Sequence, residues 1–201
     1  MENEKNKDKT NNATINNLNE TDEFNKVAEI FLKKLKNIQK INLLFVCAGN
    51  ICRSPYAEYL MRKWVNESKY LKGKVKCASA ALQFKNEKIH PNTKKLLLEE
   101  GLSEEEIDAH VPRHISEHID LFEKADLIIG MERAHKYSTP KTYRNKFRQI
   151  SELSINKRKN IEDPYFAETF DEYKRVIMEL KEFLSAFKQK LENFIKDNAS
   201  F

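Results

Sequence analysis

The chain has 201 residues, 36 basic and 31 acidic, with a formal net charge of +5. This length suits one domain, and because the cations are spread along the chain we expect no nucleic-acid partner. Three cysteines are too few for a disulfide framework, and no zinc-type Cys/His cluster occurs. Free thiols favour a reducing compartment, so we expect the cytoplasm. No apolar run approaches the ~20 residues of a membrane span, and the polar first residues lack a secretory signal.

The first 40 residues differ in composition from the rest. Residues 1–20 are rich in Asn, Lys, Glu and Thr and predict a disordered polar tail. Within residues 21–40, apolar side chains such as Phe24, Val27 and Phe31 recur at helical spacing. This pattern predicts an amphipathic helical extension, packed either on the domain or on another chain. Residues 41–197 then form the domain itself.

Strand and helix patterns alternate along this domain. Residues 42–47 predict a buried strand, followed by a loop and a helix, with Ser54 as N-cap and Pro55 at the first helical position. Further strands are predicted at 75–80, 127–131 and 147–150, and helices at 91–100 (ended by Gly101), 116–123 and 170–196. The alternation predicts an α/β fold, a doubly wound sheet of about four parallel strands with helices on both faces, plus the N-terminal helical extension.

The loop between the first strand and its helix can bind an anion. Amide groups at a helix N-terminus are unpaired and the helix dipole is positive there. Such surroundings favour the thiolate form of Cys47. The planar fork of Arg53 suits two phosphoryl oxygens. A cysteine that ends a strand is often only a small buried residue, but its place before a Ser-Pro helix start favours the phosphate site.

Other loop residues have predicted supporting roles. Gly49 can adopt backbone conformations that other residues resist, and Asn50 can bond the loop backbone. Ser54 can donate a hydrogen bond to the thiolate. Besides Cys47 and Arg53, the predicted phosphate-binding loop comprises Ala48, Gly49, Asn50, Ile51, Cys52 and Ser54.

The segment VCAGNICRSPYAE resembles the phosphate-binding loop of the low-molecular-weight protein tyrosine phosphatases, whose signature is V-C-x-G-N-x-C-R-S-P. A second mark of that family is a distant Asp-Pro followed by aromatics, which here is Asp163-Pro164-Tyr165-Phe166. The resemblance covers about residues 41–195. It implies that Cys47 is the nucleophile, that Arg53 binds the phosphoryl group, and that Asp163 is the proton donor and then the base. A cysteinyl phosphate forms, and neither a metal nor another cofactor is implied.

Weaker matches lie between these two motifs. Ser79 resembles the family's strand-end serine that braces Asn50. His110 lies in a His-Val-Pro-Arg segment similar to the family's His-x-Ala-Arg, and would join the same bracing network or be an ordinary partly buried histidine. Glu132 stands where the family usually has Asp, and no role is carried over to it.

Aromatic residues predict the substrate class. Tyr165, Phe166 and Phe84 can form apolar walls around a flat phenyl ring, whereas phosphoserine is too short to reach a deep thiolate. The expected partners are therefore phosphotyrosine-containing proteins or peptides, and the expected state is a monomer or a weak dimer.

Three other functions and one regulatory role remain as alternatives. A protein-arginine phosphatase of the same fold carries Thr where this chain has Ile51. An arsenate reductase needs two further downstream cysteines, and none follows Cys77. A non-catalytic phosphoprotein-binding module would lack the nucleophile or the acid. Cys52 could capture oxidised Cys47 as a disulfide, or simply pack beneath the loop.

Overall fold

A single four-stranded sheet organises the protein. The computed structural model describes residues 40–198, so the predicted tail and helical extension lie outside the described residues. The strands are β1 (Ile41–Cys47), β2 (Val75–Ala81), β3 (Leu127–Gly130) and β4 (Phe147–Gln149). All pair in parallel, in the order β2-β1-β3-β4. The predicted parallel α/β sheet is thus confirmed.

Seven helices accompany the strands within residues 40–198. They are α1 (Arg53–Glu67), α2 (Pro91–Glu99), α3 (Glu104–Asp108), α4 (Ile119–Lys124), α5 (Arg133–Ser138), α6 (Ile150–Ile155) and α7 (Phe170–Asn198). Short 3-10 helices span Lys141–Lys146 and Pro164–Phe166. None of these described helices is long and apolar enough to cross a membrane.

The helix boundaries mostly follow the sequence pattern, with two kinds of difference. Helix α4 begins three residues later than predicted, because the hydroxyl and amide of Ser116 bond to the His114 ring in a turn. Helices α3, α5 and α6 were not predicted, since five or six residues are too few to reveal a helical period. Gly101 follows α2 with a φ of +81°, the left-handed conformation typical of a helix end.

Apolar residues of β1 face both sides of the sheet. Leu43 and Phe45 join the larger core, which also contains residues of α1, α2 and α7. Leu44 and Val46 join the smaller core with Phe122 of α4. A parallel sheet with both faces covered requires this continuous apolar run.

The order of the strands decides where a ligand can bind. β1 lies inside the sheet. Strand β2, the next in the chain, pairs with one side of β1, and β3 pairs with its other side. The connections therefore diverge at the carboxyl end of β1, which is the position where open α/β sheets bind ligands. The loop from Cys47 to Arg53 leaves the sheet at this point.

Candidate active site

The thiol of Cys47 lies at the centre of the loop and faces two polar groups. Its Sγ is 3.0 Å from the Ser54 hydroxyl and accepts a hydrogen bond from the Asn50 amide at 3.3 Å. Only 3% of Cys47 is exposed. These two contacts hold the sulfur in a fixed position within the loop.

Ser54 does not cap the helix, contrary to the prediction. α1 begins at Arg53, the cap position is Cys52, and the side chain of Cys52 makes no capping hydrogen bond. The Ser54 hydroxyl is instead used by Cys47 and by the Asn50 side-chain amide, which donates to it at 3.0 Å. A hydroxyl committed to the loop interior is not available to the first turn of the helix.

The unusual backbone conformation in this loop belongs to Asn50 rather than Gly49. Asn50 has a φ of 55°, whereas Gly49 is not in the left-handed region. Asparagine tolerates this region better than most residues. A Cβ at Gly49 would lie 2.7 Å from Nδ2 of Asn86, which donates to the Gly49 carbonyl, so a larger residue there would displace the Asn86 side chain.

A group of buried or partly buried polar residues, called the rear network here, holds Asn50 from behind. Its members are Asn50, Ser79, His110, Arg113 and Glu58. The Asn50 Nδ2 donates to the Ser79 hydroxyl at 2.7 Å, and its Oδ1 accepts from the Arg113 amide at 2.9 Å. His110 Nε2 lies 3.0 Å from the Asn50 carbonyl, to which it must be the donor. Asn50 thus bonds to surrounding elements, and not to the loop backbone as expected.

Glu58 closes the rear network and was missed by the sequence analysis. It is 3% exposed, accepts from the Ser79 hydroxyl at 2.6 Å, and forms an ion pair with Arg113. The available signal was a charged residue one turn after Ser54 on a helix whose neighbouring residues are apolar. Burial lowers the pKa of His110, which keeps this histidine neutral.

Arg53 faces the open side of the loop and meets two carboxylates. Its Nη1 donates to Glu132 at 2.5 Å and to the Ile161 carbonyl at 2.9 Å, and its Nη2 donates to Asp163 at 2.5 Å. Burial acts to lower the pKa of Arg53, but the charges of Cys47, Asp163 and Glu132 outweigh it and raise the pKa above its ordinary value. Arg53 is therefore a fixed cation.

One donor of Arg53 has no partner among residues 40–198. Its Nε is buried and forms no hydrogen bond, although only 1% of the residue is exposed. Buried donors are normally satisfied. Among the described residues the Nε atoms of Arg62 and Arg113 are also buried without a partner, but the Arg53 guanidinium is the one that closes the loop of Cys47 and contacts Asp163. The Nε and Nη2 together form the fork that binds two oxygens of a phosphoryl group.

Glu132 has a role that the sequence analysis did not assign. Its carboxylate orients Arg53, and its own amide donates to Nδ1 of the buried His135 at 3.3 Å. Burial and the nearby charge of Arg53 lower the pKa of His135 to about 3, so this ring is neutral. The longer Glu side chain reaches the arginine in this structure. The signal was its position two residues after the end of β3.

Asp163 lies at the start of a short 3-10 helix and also reaches the loop. Its Oδ1 accepts from the Tyr165 amide at 3.2 Å, as in an ordinary Asp-Pro turn, while Oδ2 pairs with Arg53. The turn and the site contact coexist because the carboxylate has two oxygens. About 25% of the Asp163 side chain is exposed, so this group can reach a bound molecule.

The predicted wall residues border one pocket above Cys47. The pocket has a volume of about 390 Å³ and its lining includes Ile51, Phe84, Tyr165 and Phe166. The three aromatic rings are largely exposed, and Tyr165 and Phe166 pack edge to face with centroids 5.5 Å apart. The arrangement suits a flat apolar group whose end reaches the sulfur.

Cys52 packs beneath the loop in a poorly reactive environment. It is 3% exposed, and burial, partly offset by a hydrogen bond with Tyr173, raises its pKa to about 12. Tyr173 also bonds to the Thr93 hydroxyl, which lies 3.0 Å from the Ile51 carbonyl. Because the attacking species in disulfide formation is the thiolate, these contacts favour the packing role.

Comparison with known proteins agrees with the geometry. A family model described as low molecular weight phosphotyrosine protein phosphatase matches residues 42–197. A Bacillus subtilis protein named protein-arginine-phosphatase is 31% identical over 155 residues, which cover 76% of this chain and 97% of the relative. A low molecular weight protein-tyrosine-phosphatase of the same organism, YfkJ, is 33% identical over 145 residues, covering 68% and 88%. The YwlE arginine phosphatase from Geobacillus stearothermophilus superposes with a TM-score of 0.66 at 25% identity, covering 78% and 96%.

Proposed function

Since this chain belongs to the low molecular weight phosphotyrosine protein phosphatase family, we propose that it hydrolyses phosphotyrosine in proteins or peptides through a cysteinyl-phosphate intermediate. The observation that carries the proposal is the position of the Arg53 guanidinium, which closes the loop that begins at Cys47, contacts Asp163, and keeps a buried Nε with no partner among residues 40–198. Membership of the family makes the chain a hydrolase of the protein phosphatase class.

In the first step, the Cys47 sulfur attacks phosphorus and the bond to the substrate oxygen breaks. Arg53 takes two phosphoryl oxygens with Nε and Nη2, and the loop amides contact the oxygens as negative charge spreads over them. The phosphoryl group competes with Asp163 for Nη2. Asp163, released from Nη2 and lying next to the phosphoryl group, then donates a proton to the leaving phenolate oxygen.

In the second step, water attacks the phosphorus of the cysteinyl phosphate. Asp163 removes a proton from that water, the sulfur–phosphorus bond breaks, and inorganic phosphate leaves. Ser54 and the Asn50 amide, within 3.0 and 3.3 Å of the sulfur, stabilise the thiolate that is released. Acid–base help of this kind is worth about 10²–10⁴ in rate.

The choice of phosphotyrosine rests on the pocket. Its walls are Phe84, Tyr165 and Phe166, and Lys85 is the cation at its edge. Asp163 is the acidic residue of the lining, and it already pairs with Arg53. A positively charged guanidinium side chain would gain little here, whereas a neutral phenyl ring finds three aromatic partners.

Protein-arginine phosphatase is the second candidate, because this chain matches a relative of that name over nearly the whole length of the relative. Ile51 lines the pocket where that class carries Thr. The chain thus lacks a hydroxyl at a position that lines the pocket, which favours the aryl phosphate.

The test compares one peptide sequence carrying phosphotyrosine, phosphoserine or phosphoarginine. We expect kcat/KM for phosphotyrosine to exceed the others on the order of 10²-fold, the range that an apolar pocket can discriminate. Ile51→Thr should lower the ratio of kcat/KM for phosphotyrosine to kcat/KM for phosphoarginine. Ile155→Thr, on the exposed side of α6, should leave this ratio unchanged. Faster hydrolysis of phosphoarginine by the wild type would reverse the assignment.

The remaining expectations stay proposals. All three cysteines are free, which supports a reducing compartment and hence the cytoplasm. The protective role of Cys52 is tested by peroxide treatment followed by dithiothreitol. Poorer recovery of Cys52→Ser than of wild type would support protection, and equal recovery would leave Cys52 as a packing residue.

A further inference from the structure

A second cavity, called the basic cavity here, lies beside α5 and β4. Its volume is about 280 Å³, and its charged lining residues are Arg133, Lys136, Arg148, Arg158 and Glu152. Four cations and one carboxylate give these walls a net charge of +3. The cavity belongs to the β4 edge of the sheet, whereas the pocket above Cys47 follows the central strand β1.

The single carboxylate is already used by its neighbours. Glu152 accepts from the Gln149 amide at 2.8 Å and from Arg158 Nε at 2.9 Å. Among the ion pairs of residues 40–198, none involves Arg133 or Lys136. Two cations of α5 therefore border the cavity without an acidic partner.

We propose that the basic cavity binds a phosphate-type dianion, separately from the phosphoryl site at Cys47. Guanidinium groups match the spacing of oxygens on a tetrahedral phosphate and bind it through paired hydrogen bonds. The Tyr137 hydroxyl, which also lines the cavity, adds a polar group. Two negative charges are needed to approach neutrality against a net +3, which favours a phosphate monoester over a single carboxylate.

Partial burial of Arg148 strengthens its attraction for a bound anion. The pKa of Arg148 is lowered by burial, opposed by the charge of Glu152. A cation that has lost part of its contact with water gains more from an added anion than an exposed cation does.

The basic cavity is connected to the elements that hold Arg53. The Arg133 amide donates to the side chain of Asn160 at 3.0 Å, and Arg133 directly follows Glu132. Asn160 directly precedes Ile161, whose carbonyl accepts from Arg53. A dianion between Arg133 and Arg158 would join the turn after β3 to the loop that ends in Asp163. We expect its binding to alter turnover.

Two sources present the same chemical group. One is a second phosphorylated residue on the substrate protein, and the other is a small phosphorylated metabolite. Both offer a tetrahedral dianion on a short stem, so the binding test comes first and the source is assigned afterwards.

Binding is tested by backbone-amide NMR of the full chain titrated with inorganic phosphate, with sodium chloride holding the ionic strength constant because exposed charges are screened by salt. We expect two independent sets of shifts, one around Asn50 and one around Lys136. In Arg133→Ala/Lys136→Ala the dissociation constant for phosphate obtained from the second set of shifts should rise about tenfold or more, since charged hydrogen bonds are lost.

The matched control is Lys72→Ala/Lys74→Ala, which removes two exposed cations before β2, at the opposite edge of the sheet. It should leave both sets of shifts unchanged. Absence of shifts near Lys136 in wild type, or equal shifts in Arg133→Ala/Lys136→Ala, would overturn the proposal. The shifts around Asn50 report the catalytic loop separately, so failure of the basic cavity is distinct from failure of the phosphatase assignment.

Kinetics then assign the source. A lower KM for a peptide carrying phosphotyrosine plus a nearby phosphoserine, lost in Arg133→Ala/Lys136→Ala, identifies the substrate protein. A change in kcat on adding glycerol 3-phosphate, also lost in that variant, identifies a free metabolite. No effect in either assay would overturn the inferred link to turnover.

Discussion

Behind the phosphate loop every polar group of Asn50 is bonded, whereas in front of it Arg53 retains a buried N–H with no partner among the described residues. The rear contacts join neutral groups and the partly buried ion pair of Arg113 with Glu58. Arg113 also has a buried Nε with no partner among the described residues, but nothing in these contacts needs to change during a reaction. The front contacts place Asp163 on the donor that a phosphoryl group would use. Rigid support lies on one side of the loop and exchangeable partners lie on the other.

This difference predicts that front variants lose activity while keeping stability, and that rear variants lose stability first. Removing the nucleophile should have the largest effect. Cys47→Ser should abolish turnover of para-nitrophenyl phosphate, because a serine hydroxyl is not ionised here, yet retain phosphate binding by calorimetry and an unchanged melting temperature. Cys77→Ala, in β2, is the control and should remain active. Wild-type turnover by Cys47→Ser would contradict the mechanism.

Asp163→Ala should have the next largest effect. We expect kcat to fall about 10²-fold or more, most with poor leaving groups, since these depend on a proton donor. Inorganic phosphate should bind more tightly, because Arg53 loses a competing carboxylate.

The control for this variant is Glu162→Ala, an exposed neighbour that pairs with Arg175, and its kcat should match wild type. An equal fall of kcat in Asp163→Ala and Glu162→Ala would mean that Asp163 acts only by forming the turn with the Tyr165 amide.

On the rear side, Ser79→Ala should mainly reduce stability. The change removes the hydroxyl that accepts from Asn50 and donates to Glu58, so the free energy of unfolding should fall by about 1–3 kcal/mol. The loss in kcat should be smaller than for Asp163→Ala. Urea denaturation and steady-state kinetics measure both, and a greater loss of kcat than in Asp163→Ala would break the distinction between the two sides.

The last prediction concerns the pH dependence of stability. The pKa of buried His135 falls from 6.5 to about 3 in the folded protein. Between these values the unfolded chain takes up a proton that the folded protein does not, so stability decreases as pH falls, by at most about 1.4 kcal/mol per pH unit. We expect the free energy of unfolding, measured by urea denaturation between pH 7 and pH 4, to fall less steeply with decreasing pH in His135→Gln than in the wild type. Identical slopes would show that His135 does not contribute.

Much of the fold was accessible from local patterns. The apolar run of β1, the long amphipathic stripe of α7 and the breaks at Pro91 and Gly101 each fix an element through nearby residues. The short helices α3, α5 and α6 were not accessible, because their existence depends on what they pack against. The polar tail and the helical extension predicted before residue 40 remain predictions.

The candidate site divides in the same way. The sequence places Cys47 and Arg53 on one loop by covalent connection, and its order of motifs identifies Asp163. It does not show that Glu132 and Asp163, 79 and 110 residues beyond Arg53, both meet one guanidinium, nor that Glu58 closes the network behind Asn50.

The sequence by itself determined the strand–loop–helix that makes an anion site, because that geometry follows from neighbouring residues and a helix N-terminus. Only the tertiary structure decided which partners share Arg53, which donor remains unsatisfied, and which cations line the basic cavity. These contacts join residues far apart in the chain, and their positions depend on how the strands pair and how the helices pack on both faces of the sheet.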